Sequence, residues 1–234
     1  MGLEDIYQKT GKVIHIGLEP EPGCYLETTG EVIDFFKTVL WPQGTNFLCK
    51  KAGYSPVMAE ELLRKYVGIC FDTCHPAIQH ENLEKSLDRY LAEGIRISKI
   101  HLSAALKAKN NEDALKELER FCEPTYLHQV VAQNDNGIIK CWEDLPHALA
   151  ELHRHPTFKD VRIHFHVPLF WKGTEQLGTT ASALTPGFFN TLKMGFCQHL
   201  EIETYTFDVL PEKIRPGHIT ESISKEYAWV LEHF

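Results

Sequence analysis

Residue types that bind metal ions stand at the ends of five apolar, strand-like runs of the sequence. The residues are Glu19, Asp72 with His75, His101, His164 with His166, and Glu201 with Glu203. In a parallel α/β barrel the C-terminal ends of the strands meet at one face, where such barrels carry their active sites. We therefore expect these side chains to come together and to bind a metal ion.

Alternation along the strands favours the same interpretation. Side chains two residues apart share a face of a strand, so Gly17 lies below Glu19 and Cys70 lies below Asp72. A small residue in the lower layer leaves room for a carboxylate, and a carboxylate buried in a barrel is costly unless a cation neutralises it. Carboxylate oxygens with a histidine nitrogen suit Mn²⁺, Co²⁺, Mg²⁺ or Zn²⁺ better than a metal that prefers thiolates.

Each of these residues also has an ordinary structural interpretation. A single histidine at a strand end is commonly a hydrogen-bonded structural residue, and a single glutamate after a strand commonly lies in a solvated loop or near a helix N-terminus. We favour the metal site because five strand-like runs of one chain end in the same chemistry.

The order of the predicted elements supplies the framework for the site. Apolar runs alternate with loops and with segments of helical spacing, which indicates βα units around a parallel sheet. The predicted strands are 12–19, 67–72, 97–102, 161–167 and 198–204, and 126–132 is either a strand or an extended loop. The predicted helices are 31–40, 80–93, 111–121, 143–153 and 221–233, and 172–188 is predicted to be a loop. With no linker or repeat, 1–234 is predicted to be a single α/β domain.

Composition narrows the classes of partner. The chain has 24 basic and 32 acidic residues, a net charge of −8, and no cluster of Lys and Arg that would form a nucleic-acid-binding face. It begins without the pattern of a signal peptide, and it lacks the apolar stretch of about 18 residues that crosses a bilayer. We therefore expect a cytoplasmic protein without nucleic-acid binding or membrane insertion. Seven scattered cysteines do not predict a disulfide framework.

Four strings resemble the xylose isomerase-like TIM barrels. They are EPEPG after the first strand, FDTCH, KIHLS and the final E-x-E-T run. This superfamily includes sugar isomerases, epimerases of the tagatose epimerase type and the endonuclease IV enzymes. The resemblance implies a TIM (β/α)8-type barrel in which 12–19 is the fourth strand. It therefore implies an incomplete barrel with the first three strands missing, whose open edges favour a homo-oligomer.

The resemblance also implies a set of site residues. In the epimerases one Glu, one Asp, one His and a final Glu bind a single divalent metal, and a second His three residues after the Asp touches the substrate. Carried over to this sequence, the metal ligands are Glu19, Asp72, His101 and Glu203, and the substrate-contacting histidine is His75. Longer strings such as GLEPEPGCYLET, HFHVPLF and ETYTFDVLP resemble the metabolite traffic proteins called EboE, a family linked to moving a metabolite precursor across the inner membrane.

Two departures limit what the resemblance implies. Glu21 stands where xylose isomerases carry a catalytic lysine, which disfavours a hydride-shift isomerase of that type. The string Tyr126-Leu127-His128 keeps the histidine of the Asp-x-His pair in endonuclease IV but lacks its aspartate.

The expected function is therefore that of an isomerase or epimerase. We expect proton transfer at a carbon next to a carbonyl in a small sugar or polyol-like substrate, with Glu19 and Glu203 as base and acid. His75, His166 and His128 are predicted to bind the substrate. One alternative is a multi-zinc phosphodiesterase like endonuclease IV, favoured by the many histidines and disfavoured by the acidic charge. A second alternative is a barrel that binds a metabolite without catalysis.

Overall fold

The structure is a computed structural model that describes residues 2–203 and 205–234. In these residues nine strands form two sheets. The strands are β1 (Ile16–Leu18), β2 (Val67–Asp72), β3 (Ile97–Leu102), β4 (Ala105–Lys109), β5 (Val130–Asn134), β6 (Ile139–Trp142), β7 (Phe158–His166), β8 (Leu177–Thr179) and β9 (Leu200–Ile202).

Helices fill most of the connections between these strands. The α-helices are α1 (Gly2–Thr10), α2 (Thr29–Phe35), α3 (Trp41–Ala52), α4 (Pro56–Tyr66), α5 (Cys74–Ile78), α6 (Leu83–Ala92), α7 (Glu112–Leu118), α8 (Leu145–Leu152), α9 (Pro186–Leu192) and α10 (Ile219–His233). A π-helical segment at Phe36–Leu40 joins α2 to α3, and 3-10 turns lie at Glu119–Phe121, Thr180–Ala183 and Phe207–Val209. Every helix in the described residues is too short or too polar to cross a bilayer.

The parallel sheet has the strand order β1, β2, β3, β9. Its register places Asp72 beside His101 and His101 beside Glu201, so the C-terminal ends of the strands lie next to one another. Predicted strands 67–72 and 97–102 match β2 and β3, whereas 12–19 shortens to β1. Predicted strand 198–204 shortens to β9, and its last residue, Thr204, lies outside the described residues.

A second, antiparallel sheet has the order β6, β5, β7, β4, β8, and it corrects the expectation of a single parallel sheet. Run 161–167, predicted to be a parallel strand, belongs to β7, which runs antiparallel to both β4 and β5. The reason is that β4 follows β3 after only two residues and pairs Ala105 with His166. The described strands thus form two sheets and no closed barrel, and a TIM barrel stays a prediction.

The five predicted helices are present, and local capping explains where several of them begin. Thr28 and Glu31 form a capping box at α2, in which the side chain of each residue accepts the backbone N–H of the other. Asn82 and Asn111 accept the amides of Lys85 and Ala114 at the starts of α6 and α7. The stretch 172–188, predicted to be a loop, contains β8, a 3-10 turn and the first residues of α9.

The core lies between the sheets and the helices that cover them. Its fully buried members include Ile100 of β3, Leu106 of β4 and Phe165 of β7, packed with Leu87 of α6 and Leu152 of α8. Each such side chain contributes about 1.5–3 kcal/mol of burial free energy, which is enough to hold short strands in fixed register. The ends of β2, β3 and β7 are therefore rigid supports for the polar residues that they carry.

Glu226 of α10 is an acidic side chain buried beside the end of β7, at 3% exposure. Its Oε2 accepts the backbone N–H of Leu169 at 3.1 Å. Burial disfavours the charged carboxylate and raises the pKa of Glu226 to about 7. Because the pKa of Glu226 is higher in the folded chain than in the unfolded chain, the protonated side chain contributes to stability. This contribution is complete below the pKa of the unfolded chain and is lost as the pH rises through the pKa of the folded chain.

We expect Glu226→Gln to remove this pH dependence, because glutamine keeps an oxygen for the Leu169 amide and cannot ionise. Between about pH 5 and about pH 8, the free energy of unfolding of the parent chain should fall by roughly 2–3 kcal/mol relative to the variant. Urea unfolding at both pH values measures this difference. Glu221→Gln, on the exposed face of the same helix, is the control and should run parallel to the parent. If the free energy of unfolding of Glu226→Gln changed with pH as that of the parent does, the raised pKa of Glu226 would be contradicted.

Candidate metal centre

Four side chains meet where the strands of the parallel sheet end. Glu19 follows β1, Asp72 ends β2, His101 lies in β3 and Glu203 follows β9. Each offers one ligand atom, and the four atoms all lie within 4.8 Å of one another. From Nδ1 of His101, the distances to Glu19 Oε1, Asp72 Oδ2 and Glu203 Oε2 are 3.2, 3.4 and 3.6 Å. The structure thus brings together the four residues that the resemblance implies as metal ligands.

The geometry of this group fits a metal ion. Ligand atoms bound at about 2.1 Å from one ion lie about 3.0–4.2 Å from each other, and the three distances from His101 Nδ1 fall in this range. Asp72 Oδ1 accepts the backbone N–H of Cys74 at 2.7 Å and the hydroxyl of Ser103, which fixes the carboxylate. Within residues 2–203 and 205–234, buried Asp72 Oδ2 and His101 Nδ1 have no hydrogen-bond partner. Two such atoms lie 3.4 Å apart beside two glutamate oxygens, which favours a cation between them.

The electrostatics of the group also favour a cation. Burial opposes the charged form of Asp72, but His75, His166 and His101 hold its pKa well below the ordinary value. Burial, with Asp72 beside it, raises the pKa of Glu203. Burial disfavours protonated His101, yet Asp72, Cys70 and the glutamates raise its pKa. A proton on His101 thus partly neutralises the carboxylates, and a divalent cation would replace it.

Three further histidines lie beside this group. His75 Nδ1 donates to the carbonyl of Pro20 at 2.7 Å, and its Nε2 lies 3.9 Å from Asp72 Oδ2. His166 lies between two carboxylates, with Nδ1 3.5 Å from Glu203 Oε2 and Nε2 4.0 Å from Asp72 Oδ2. His164 donates from Nδ1 to the side-chain oxygen of Gln129 at 2.7 Å. Burial lowers the pKa of His166 to about 4 and holds that of His164 well below its ordinary value.

A cavity of about 500 Å³ opens next to the four-residue group. Its lining residues are Glu19, Glu21, His75, Thr125, Tyr126, Leu127, Gln129, His164, His166, Glu203 and Tyr205. Tyr205 is not among the residues predicted from the sequence, and its ring lies 4.8 Å from that of His166 and 5.0 Å from that of Tyr126. Its position two residues after Glu203 is the one available signal. Burial raises the pKa of Tyr205, so it is a neutral hydroxyl.

Glu201, one of the carboxylates expected at the strand ends, lies outside the group of four. Glu201 forms an ion pair with Lys99, and its Oε2 is 4.0 Å from Nε2 of His101, on the side of the ring away from Asp72. The Nε2 of His101 also lies 3.6 Å from the sulfur of Cys70. Glu201 therefore lies at the Nε2 edge of the His101 ring, whereas the other three carboxylates lie at its Nδ1 edge.

His128, predicted to bind the substrate, does not line the cavity. It is fully buried, and both ring nitrogens are used, by the carbonyl of His164 at 2.9 Å and by Glu123 Oε1 at 2.8 Å. Glu123 also accepts the backbone amides of Thr125 and Tyr126. His128 therefore ties the loop 123–129, which forms one wall of the cavity, to β7. This role is not predictable from the sequence, because it depends on a hydrogen-bond partner 36 residues away.

Comparison of the chain with family models, with curated proteins and with solved structures gives no match. Function is therefore inferred from the geometry of the site and from the motifs of the sequence.

We expect His128→Ala to loosen the wall of the cavity without removing the metal site. Loss of two buried hydrogen bonds costs about 1–3 kcal/mol and frees Glu123 from β7. Hydrogen exchange at the amides of Thr125 and Tyr126 should accelerate at least about tenfold, on the scale of that energy. Metal stoichiometry should be unchanged. An unchanged exchange rate in the loop would contradict the proposed tie.

Proposed function

We propose that this chain is a divalent-metal-dependent enzyme of the isomerase and epimerase kind, which moves a proton at a carbon next to a carbonyl. The observation that carries the proposal is a pair of buried atoms 3.4 Å apart, Asp72 Oδ2 and His101 Nδ1, which lie beside two glutamates and have no hydrogen-bond partner among the described residues. Because Glu19 and Glu203 also line the adjoining cavity, a molecule in the cavity would contact the same group.

The lining of the cavity favours a small, uncharged polyhydroxylated substrate. Its polar members are glutamates, histidines, a threonine, a glutamine and tyrosines, all of which hydrogen-bond hydroxyl groups. Three of the lining residues are glutamates, and neither lysine nor arginine is present among the described residues of the lining. A phosphate ester would be repelled by such a surface. A free sugar or polyol-like metabolite fits it better than a phosphodiester, which disfavours the endonuclease IV alternative.

The residues of the chain have distinct parts in the proposed reaction. A cation held by Glu19, Asp72, His101 and Glu203 would supply a Lewis acid that polarises a carbonyl and makes the neighbouring C–H more acidic. Glu19 and Glu203 both border the cavity, so one can accept the proton from carbon and the other can return it. His75 and His166 are placed to orient hydroxyl groups. Tyr126, Leu127 and Tyr205 exclude water from one side of the cavity.

We also propose, from the motifs alone, that the chain belongs with the xylose isomerase-like TIM barrels and closest to the EboE metabolite traffic proteins. In such a setting the enzyme would modify a small metabolite precursor. A protein that binds the metabolite without turnover is the remaining alternative, since a metal and a cavity are equally useful for binding.

Exchange of carbon-bound hydrogen with solvent tests the proposal directly. The purified chain is loaded with Mn²⁺, Co²⁺, Mg²⁺ or Zn²⁺ and incubated in D₂O with a panel of aldoses, ketoses and cyclic polyol ketones. NMR should show deuterium entering next to the carbonyl of at least one compound, and only with metal present. Metal binding with no exchange on the whole panel would leave the binding protein as the function, and hydrolysis of a DNA phosphodiester would favour the multi-zinc alternative.

A further inference from the structure

The last helix, α10, has polar residues on its buried face and large apolar residues in water. Its buried side chains are Ser222, Glu226 and Val230, at 2%, 3% and 7% exposure. Tyr227 and Leu231, one turn apart, are 52% and 70% exposed. A surface helix of a globular protein normally turns its apolar face to the core and its polar face to water. A pair of large apolar side chains on the outer face of such a helix indicates a surface that another molecule covers.

Contacts with the rest of the chain fix α10 in this orientation. Glu226 Oε2 accepts the backbone N–H of Leu169, in the segment that follows β7, at 3.1 Å. Val230 belongs to the main hydrophobic core. A rotation of the helix that buried Tyr227 and Leu231 would break this hydrogen bond and expose Val230. The chain therefore holds the apolar residues of α10 outward.

The charges on the outer face of α10 are complementary to those of a second copy of the same helix. Lys225 and Glu232 are exposed and seven residues apart, so they lie on one side of the helix and are separated by about two turns. When two copies of α10 lie side by side in opposite directions about a twofold axis near Ala228, Lys225 of each copy faces Glu232 of the other. A twofold interface requires such a self-complementary surface. We propose that two copies of this chain form a symmetric dimer through α10.

The residues between these charges allow the two helices to pack closely. Ser224 and Ala228 are exposed and one turn apart, and their small side chains permit an axis-to-axis distance of about 8–10 Å. Tyr227 and Leu231 lie on opposite sides of the twofold axis, so Tyr227 of one copy packs beside Leu231 of the other. The dimer thus buries the apolar side chains of α10 twice and flanks them with two ion pairs.

A cleft of about 620 Å³ continues the same surface beside α10. Lys225, Ala228 and Glu232 line it from the helix, and Phe170 and Trp171 line it from the segment after β7. A stable interface buries about 800 Å² on each partner. The cleft adds aromatic surface, which is enriched at protein–protein interfaces, to the area that the helix supplies.

Two other surfaces with exposed apolar residues supply the controls. Val57 of α4 is 70% exposed, but the buried residues of that helix, Ala59 and Tyr66, are apolar in the ordinary way. Ile14, 49% exposed, precedes β1, which is an edge strand of the parallel sheet. An open strand edge can pair with another chain, so this edge is the alternative surface for self-association.

Analytical ultracentrifugation of the purified chain tests the dimer. The parent should sediment with twice the chain mass of 26.8 kDa. Tyr227→Glu and Leu231→Glu should sediment with the mass of one chain, because each places a charge in the apolar centre of the interface. Val57→Glu, at the same exposure as Leu231, and Ile14→Glu should remain dimeric. Circular dichroism should be unchanged in all four variants, since each of these side chains is exposed in the single chain.

Exchanging the charges tests the antiparallel direction of the helices. Lys225→Glu alone and Glu232→Lys alone should each raise the dissociation constant of the dimer at least about tenfold, because like charges then face each other. An equal mixture of these two variants should form dimers again, since a glutamate then faces a lysine at both contacts. This restoration does not depend on the apolar variants.

The possible results are distinct from those for the proposed function, because metal binding enters none of them. A monomeric parent would overturn the dimer, and so would a dimer that survives both Tyr227→Glu and Leu231→Glu. A dimer that is lost in Ile14→Glu and kept in the α10 variants would place the interface at the strand edge and overturn the proposal. A mixture of the two charge variants that stays monomeric would overturn the antiparallel contact.

Discussion

Asp72→Asn should abolish stoichiometric binding of a divalent metal, with a loss of affinity of at least about a hundredfold, above the 10–100-fold typical of residues that only support ligands. Asparagine keeps an oxygen for the amide of Cys74 and the hydroxyl of Ser103, so the end of β2 should keep its shape. What it removes is the negative charge and the free oxygen that faces His101. Metal content by elemental analysis after dialysis measures the loss.

The same variant should lose the stabilisation that bound metal gives to the parent chain. In the parent chain, metal at about a hundred times its dissociation constant stabilises the fold by about 2.7 kcal/mol, or roughly 5–10 °C in Tm. Asp72→Asn should lose that increment.

Glu201→Gln is the appropriate control for charge. This residue lies 4.0 Å from His101 but outside the group of four, and its carboxylate is paired with Lys99. Its loss should leave metal content unchanged. If Glu201→Gln removed the metal and Asp72→Asn kept it, the ligand set would be wrong.

The strands that carry the site were predictable because their sequences are nearly continuous apolar runs. VGICFD and ISKIHL form β2 and β3 over the predicted residues, since buried parallel strands need apolar side chains on both faces. ALKAK, which forms β4, carries two lysines and reads as a solvated turn or helix. Its strand state depends on pairing with β7 and β8, which are more than 50 residues away. No local signal could supply that partner, so the antiparallel sheet was not foreseen.

The convergence of the site was predictable for a similar reason. Glu19, Asp72 and His101 lie at the ends of adjacent parallel strands, and sheet geometry alone places them together. His128 lies within 126–132, the run predicted to be either a strand or an extended loop, and its role depends on which neighbours bind its two ring nitrogens. Glu123 and the carbonyl of His164 fill them, which only the folded chain reveals. The roles of histidines are harder to predict than those of buried carboxylates, because a histidine has many possible partners.

Glu19→Gln and Glu203→Gln should each lower the rate of hydrogen exchange at the substrate carbon by about 10²–10⁴, the usual contribution of a general acid or base. Glutamine keeps the size of the side chain and an oxygen, but it neither accepts a proton from carbon nor returns one. The rate is measured by NMR in D₂O at a metal concentration that saturates each variant. Measuring at saturation separates loss of proton transfer from loss of metal affinity.

Glu21→Gln is the matched control, because Glu21 lines the same cavity and is not a member of the group of four. Its exchange rate should stay within about tenfold of the parent, well short of a lost acid or base. The double variant of Glu19 and Glu203 is the decisive comparison. If the two carboxylates are the two ends of one proton transfer, removing the second adds little to the loss caused by the first. If they serve only as ligands, each variant keeps a rate near that of the parent once metal saturates it and only metal affinity falls, so the catalytic roles of both residues would be wrong while the metal site remains.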